Sequence, residues 1–348
     1  MKTIADLTDE YVVYRDLEPC DARLPGLCTL RSALELAPRL LPRKRERAYA
    51  QVLAAIVTAA QQQRGLPAIE RFLVIGDTDN DRQLALFLCE QSPHTAYGFI
   101  AVDAVTSSPT LNYEGPIAVA NRWALIDDWL IRLHEQQPDW SRTAVLIDID
   151  KTLLGPRGRN DGPIDDARAE GALVVAHDLL GGALDEAAFC FNYASLCQKH
   201  YHDFTCDNQD YVTYTALLIA SGVLSRETFD AALHNGDLPH FAALLEQKTS
   251  RVPDALQALH REISARVAEG DPTPFIAFRR AEFVATAARL SDGRLTICRE
   301  VFTACMRLRT AGALCFAASD KPSESARPTE AQRAQGFMAL HHTPAIVR

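Results

Sequence analysis

No long apolar run interrupts this chain. Its longest mostly apolar stretch, Thr215 to Leu224, falls well short of the ~20 residues that a membrane-spanning helix needs, so no membrane partner is expected. The segment Met1 to Glu10 has no signal-peptide apolar core and turns acidic at once, which predicts a cytoplasmic protein. No disulfide pattern is present either. The nine cysteines are odd in number and scattered, and read as thiols of a reducing compartment. A basic excess is also missing. Among 348 residues, 36 Lys and Arg face 45 Asp and Glu, for a net charge of −9, which argues against a nucleic-acid partner. There is no internal repeat of fixed period, and nothing sets an oligomeric state. What remains is the composition of a soluble globular protein, 47% hydrophobic and 23% charged, in a length that suits one large domain or two ordinary ones.

Strand and helix alternate through the first half. Tyr11 to Tyr14 reads as a short strand. Tyr49, Val52, Leu53, Ile56 and Val57 are spaced three and four apart and predict a helix from Lys44 to about Gln62, ended by Gly65 and Pro67. Phe72 to Ile75 predicts a buried strand, and Asp79 to Glu90 a helix. Tyr97 to Val102 and Ile117 to Val119 predict short strands, Trp123 to Glu135 an amphipathic helix, and Val145 to Ile149 a second buried strand. This βαβ rhythm predicts an α/β fold with a doubly wound parallel sheet.

A glycine-rich basic loop follows, Gly155 to Gly162. From about Asp165 to Ser291 the pattern is helical, over 165–180, 184–201, 208–222, 226–234, 238–247, 253–268 and 275–290. A helix from Cys298 to Arg309 and an apolar strand ending at Ala318 restore the sheet pattern. The expected organisation is a Rossmann-like core begun in 1–154, a large all-helical insert in 155–292, and the rest of the core with a tail in 293–348.

Two strand ends carry the chemistry. One apolar run stops on Asp148-Ile149-Asp150-Lys151-Thr152, and an earlier one stops on Gly76-Asp77-Thr78-Asp79-Asn80-Asp81. A parallel sheet places its chemistry just beyond such carboxyl ends. Phosphoryl transfer needs a nucleophile, a cation, donors for the phosphate oxygens and a group that moves a proton. Asp148 suits the nucleophile, and Asp150 suits the general acid and base. Mg2+ prefers oxygen ligands, which Asp148, the Asp150 position, Asp77 and Asp81 can supply. Taken alone, Gly-Asp-x-x-Asn-Asp is equally a helix start capped by Asp79 or Asn80.

These residues resemble the haloacid-dehalogenase-like (HAD) phosphatases. Asp148 to Thr152 looks like their first motif, Asp-x-Asp-Gly-Thr, with Lys151 in place of Gly. Leu314 to Ser319 looks like their second motif and Gly76 to Asp81 like their fourth. The resemblance implies Mg2+-dependent hydrolysis of a small phosphorylated metabolite through a phospho-aspartate. Asp148 would then be the nucleophile, Asp150 the acid/base, and Ser319 a phosphate donor. Thr152, Asp320, Lys321 and Arg159 complete the phosphate side, while Asp77 and Asp81 serve the metal. The fourth motif lies first here, which implies a circularly permuted core. It also puts the lysine that steadies the phospho-aspartate at Lys44, with Lys321 as the alternative. The insert would act as a cap over the site. A phosphomutase or phosphotransferase on the same residues, or a catalytically silent phospholigand-binding module, are the other readings.

Three further groups are read more plainly. Arg157, Arg159 and Asn160 form either a solvated loop or an anion-steering entrance. Cys197, His200, His202 and Cys206 match no common zinc spacing, and they are taken as ordinary residues of the insert. The basic run Arg43 to Arg47 is, apart from Lys44, a solvated helix start.

Overall fold

The computed structural model describes residues 1–38, 41–91, 94–248 and 252–348. Its strands are β1 (Val12–Val13), β2 (Arg71–Gly76), β3 (Thr95–Ala101), β4 (Leu111–Glu114), β5 (Ile117–Ala120), β6 (Thr143–Ile147) and β7 (Leu314–Ala318). They form one sheet in the order β1-β7-β6-β2-β3-β5-β4, parallel throughout except for β4 against β5. The protein is thus α/β with a mostly parallel seven-stranded sheet. Every residue of β6 and β7 is buried, as expected of central parallel strands covered on both faces.

The helix Arg47–Gln63 supplies much of one covering layer. Its Tyr49, Val52, Leu53, Ile56, Val57 and Ala60 are buried against Phe72, Val74, Leu146 and Phe316. The three- and four-residue spacing of these side chains makes a single apolar stripe. Phe99 of β3 instead packs on Trp123 and Trp129.

Several expectations shift. The helix begins at Arg47 with Glu46 as its N-cap, so Lys44 stands in the turn before it. The segment Trp123 to Glu135 divides into a short 3-10 turn, Trp123–Leu125, and the helix Ile126–His134. The β4 strand was not anticipated. Its residues are mostly exposed, and it forms because Gly115, at φ +62°, turns the chain back antiparallel onto β5.

Two compact units divide the chain: Met1–Ile164 together with Ala287–Arg348, and Asp165–Thr286. These borders differ from 154/155 and 292/293 because each lies within a continuous helix, Gly162–Leu180 or Ile276–Ser291. The unit Asp165–Thr286 has no strand among its described residues. The expected helix 184–201 stops at Leu196, and 3-10 and single-turn segments follow as far as Thr205. Among the described residues of the whole chain, no helix is long and apolar enough to cross a membrane.

The helical unit has its own aromatic core, including Phe189, Tyr214, Phe229, Phe241, Phe275 and Phe278. A buried charge network crosses it. Arg279 Nε donates to Asp210 Oδ2 at 2.8 Å and Nη1 to Glu282 Oε2 at 2.8 Å, with all three side chains under 5% exposed. Removing one partner of such a network leaves charge buried without compensation. Arg279→Met is therefore expected to destabilise the protein by roughly 3–5 kcal/mol, read as a lower urea midpoint, whereas an exposed-surface control such as Arg294→Met stays within about 0.5 kcal/mol.

Candidate active site

Strand register sets the position of the site. Ile75 of β2 lies beside Ile147 of β6, and Ile147 lies beside Ala317 of β7. Three adjacent parallel strands therefore end together and deliver Asp77, Asp148 and Ser319 to one edge of the sheet. The backbone continues the ladder one residue further, with Asp148 N–H donating to the Ile75 carbonyl at 2.9 Å. Strand termini of this kind, on strands far apart in sequence, are where open α/β sheets form their crevices.

Lys44 joins two of the acids. Its Nζ donates to Asp148 Oδ1 at 2.5 Å and to Asp81 Oδ1 at 2.8 Å. The ammonium is buried, with its side chain only 3% exposed. Burial works against this charge, but the Asp148 and Asp81 carboxylates outweigh it and hold the amine well above its ordinary range.

Asp81 is placed by helix chemistry. The helix Asp79–Glu90 starts with a capping box in which Thr78 is the N-cap and Asp81 the third residue. Thr78 N–H donates to Asp81 Oδ2 at 3.2 Å, and the Thr78 hydroxyl donates to it at 2.8 Å. The cap is thus Thr78 rather than Asp79 or Asn80, because a threonine hydroxyl reaches the first turn while Asp81 answers from within it.

The chain leaves β6 through a tight turn. Leu153 N–H returns to the Asp148 carbonyl and Leu154 N–H to that of Ile149, at 3.3 and 2.8 Å. Lys151 sits in it at φ +65°, a left-handed conformation that glycine adopts without strain. Thr152 Oγ1 donates to Asp77 Oδ1 at 3.2 Å, and Arg157 Nε pairs with the other Asp77 oxygen. Lys321 Nζ donates to Asp150 Oδ2 at 3.1 Å, and Lys321 N–H donates to Ser319 Oγ at 3.1 Å.

Asp77, Asp81 and Asp148 each offer an oxygen within 4.8 Å of the others. Burial raises the proton affinity of both Asp148 and Asp77, opposed by Lys44 and Arg157 respectively, and the neighbouring acids add to the rise. Three close carboxylates therefore face two cations, and the donors are all hard oxygens. That combination could hold a metal ion. Asp148 would be its readiest side-chain ligand, since Asp81 is occupied by Lys44 and Thr78, and Asp77 by Thr152 and Arg157.

The sequence-predicted residues separate into two groups. Lys44, Asp77, Asp81, Asp148 and Thr152 converge through direct contacts, and Asp150, Lys321 and Ser319 are linked beside them. Asp150 keeps its side chain outside the three-acid cluster and faces Lys321 instead. Asp320 has a buried Oδ1 with no hydrogen-bond partner. Arg159 is not with them: its guanidinium pairs with Glu300 and Asp103 at 2.9 and 3.0 Å. Asn160 holds the backbone at Arg294 and Thr296. Of the three loop residues, only Arg157 reaches a site acid.

Two contributors were not anticipated from sequence. Thr78 is one. The other is Tyr49, wholly buried, whose hydroxyl has no hydrogen-bond partner and whose proton affinity is raised by burial, with Lys44 and the site acids acting on it electrostatically. Tyr49 is hidden in sequence because it also belongs to the helix's apolar stripe. Cys197, His200, His202 and Cys206 do not converge on a metal-binding arrangement among the described residues.

No family model, no curated protein and no solved structure matches the chain. Function is therefore to be read from the geometry of these residues.

Gly76 is required by this packing. A Cβ built there would overlap the Asp81 carboxyl group. Gly76→Ala is expected to cost roughly 1–3 kcal/mol through overpacking, measured by urea denaturation, because Asp81 and, through it, Lys44 must move.

Proposed function

We propose that the protein is a Mg2+-dependent phosphoric monoester hydrolase of the HAD type with a circularly permuted core, acting on a small phosphorylated metabolite. The observation that carries this reading is the Lys44 bridge. A lysine from the N-terminal part of the chain contacts both Asp148 of the Asp-x-Asp turn and Asp81 of the Gly-Asp-x-x-Asn-Asp turn, so three separated sequence signals occupy one point in space. The permuted order is compatible with this geometry, since β2 and β6 are adjacent and parallel although their order along the chain is reversed.

The residues then divide the work. Asp148 Oδ1 is fixed by Lys44, while Oδ2 takes no hydrogen bond among the described residues and is the oxygen that attacks phosphorus. The P–O bond to the leaving alcohol breaks, and Asp150 gives that alcohol its proton. A water molecule then loses a proton to Asp150 and cleaves the aspartyl phosphate, returning Asp148 as a carboxylate and releasing inorganic phosphate. Lys44 steadies charge on Asp148 in both steps. Ser319 and the backbone around it supply donors for phosphate oxygens. A bound Mg2+ contributes positive charge that keeps the crowded acids ionised and offsets their repulsion of the phosphate.

In this reading Lys321 orients Asp150 rather than steadying the phospho-aspartate. The helical unit, which enters the chain directly after the β6 turn, takes the family's substrate-selecting role.

The test is hydrolysis of p-nitrophenyl phosphate by purified protein. Activity is expected with Mg2+, lost on chelation and restored by re-addition. Asp148→Asn is expected to abolish it, and Asp150→Asn to lower kcat by about 10²–10⁴. Undiminished turnover in folded Asp148→Asn would sink the mechanism.

A further inference from the structure

A second group of metal-ligand side chains lies in the same sheet-bearing unit and shares no residue with the three-acid cluster just described. Glu10, His341 and His342 offer ligand atoms that all fall within 4.8 Å of one another. Glu10 precedes β1, and the two histidines belong to the 3-10 turn Leu340–His342. The turn is anchored, since Leu340 N–H donates to the Ala326 carbonyl at 2.9 Å and Ala345 pairs with Lys2. The site therefore joins residues from opposite ends of the chain.

His341 is the informative member. Its side chain is 4% exposed, and its Nε2 is a buried polar atom with no hydrogen-bond partner. That nitrogen lies 3.4 Å from Glu10 Oε2. Buried polar atoms are nearly always satisfied, so an unsatisfied imidazole nitrogen facing a carboxylate requires an explanation. Two ligands at ~2.1 Å from a tetrahedral ion stand about 3.4 Å apart. Glu10 Oε1 lies 2.7 Å from His342 Nε2, so the same carboxylate faces both rings.

The outer contacts fit as well. His341 Nδ1 is 3.1 Å from the hydroxyl of fully buried Tyr14. A proton on Nδ1, donated to that oxygen, leaves the Nε2 lone pair pointing at Glu10. This is how histidine ligands are ordinarily oriented, by a partner on the far ring nitrogen. An access route exists, because the three residues line a cavity of about 570 Å³.

We propose that Glu10, His341 and His342 bind a divalent transition-metal ion of the zinc class, with one coordination position open to the cavity. Two borderline imidazole nitrogens and one hard carboxylate oxygen make a mixed set, unlike the all-oxygen set at Asp77, Asp81 and Asp148. The two sites therefore differ in preference, with Mg2+ favoured at the acids and Zn2+ or Co2+ at the histidines. Because the ion would hold the C-terminal segment to the residues ahead of β1, its binding stabilises the folded state by mass action.

The test uses the full chain, Zn2+ or Co2+ alone as ligand, and Asp148→Asn as the background, so that the acidic site and its proposed activity play no part. One equivalent is expected to bind, with a rise in melting temperature that Mg2+ does not reproduce and that chelation reverses. Co2+ is expected to show the d–d absorption of low coordination without thiolate charge-transfer bands, which excludes the cysteines. Changes to outer contacts alone cost 10–100-fold in affinity, so losing a ligand costs about 100-fold or more. His342→Gln and Glu10→Gln, both at partly exposed positions and checked for folding by circular dichroism, are expected to show that loss. Absence of stoichiometric binding to the parent protein at 100 µM ion, or binding unchanged in either folded variant, would overturn the proposal.

Discussion

A buried ammonium held between two buried carboxylates organises this molecule. Taking Lys44, Asp81 and Asp148 out of water costs several kcal/mol per ion. Only close geometry, with further donors on the remaining oxygens, offsets that cost. Asp81 meets the requirement through the Thr78 hydroxyl and backbone N–H groups. Asp148 meets it on one oxygen only. The imbalance leaves Asp81 satisfied and structural, and Asp148 crowded and half-unpaired. The pairing also restricts the fold, since Lys44 and Asp148 are 104 positions apart and the segment before the helix Arg47–Gln63 must dock against the tip of β6.

The sheet makes that docking possible. In a parallel sheet the carboxyl ends of all strands face the same way, so β2, β6 and β7 deliver their following residues to a common edge whatever their order in the chain. The buried apolar stripe of Arg47–Gln63 then fixes the turn ahead of it, where Lys44 stands. Gly76 completes the arrangement by leaving room for the Asp81 side chain. Hydrophobic burial supplies the driving force, while the polar contacts select which residues meet.

Much of this was legible in the sequence, and the failures have physical causes. The central strands were readable because they are buried on both faces and appear as unbroken apolar runs. The β4 strand was not, because its stability comes from a hairpin partner rather than from its own pattern. The Asp77, Asp81 and Asp148 set was readable from strand ends, and Lys44 only from the resemblance to the HAD phosphatases, which implied a lysine ahead of the Gly-Asp-x-x-Asn-Asp turn. Arg159 was misplaced because loop charge alone does not reveal a partner: its acids, Asp103 and Glu300, lie far away along the chain. The Glu10, His341 and His342 group gave no local signal for the same reason, since an acid near one end and a histidine pair near the other acquire meaning only when the termini are packed together.

The turn after β6 shows how far local strain can be read. Lys151 at φ +65° adopts a conformation that costs a non-glycine residue about 1–2 kcal/mol. Such a conformation persists only where the surroundings over-determine it. Here they do: Lys151 N–H donates to the Leu154 carbonyl at 2.8 Å, Arg157 N–H donates back to the Lys151 carbonyl at 2.7 Å, and Lys321 holds Asp150 on the preceding residue. A chain that merely had to leave the strand could do so through relaxed backbone. This one reverses within a few residues, so that Asp148, Asp150 and Thr152 remain at the same edge as Asp77 and Ser319. The strain is the cost of keeping two carboxylates and a hydroxyl in one small turn, and it is spent where the proposed chemistry needs them.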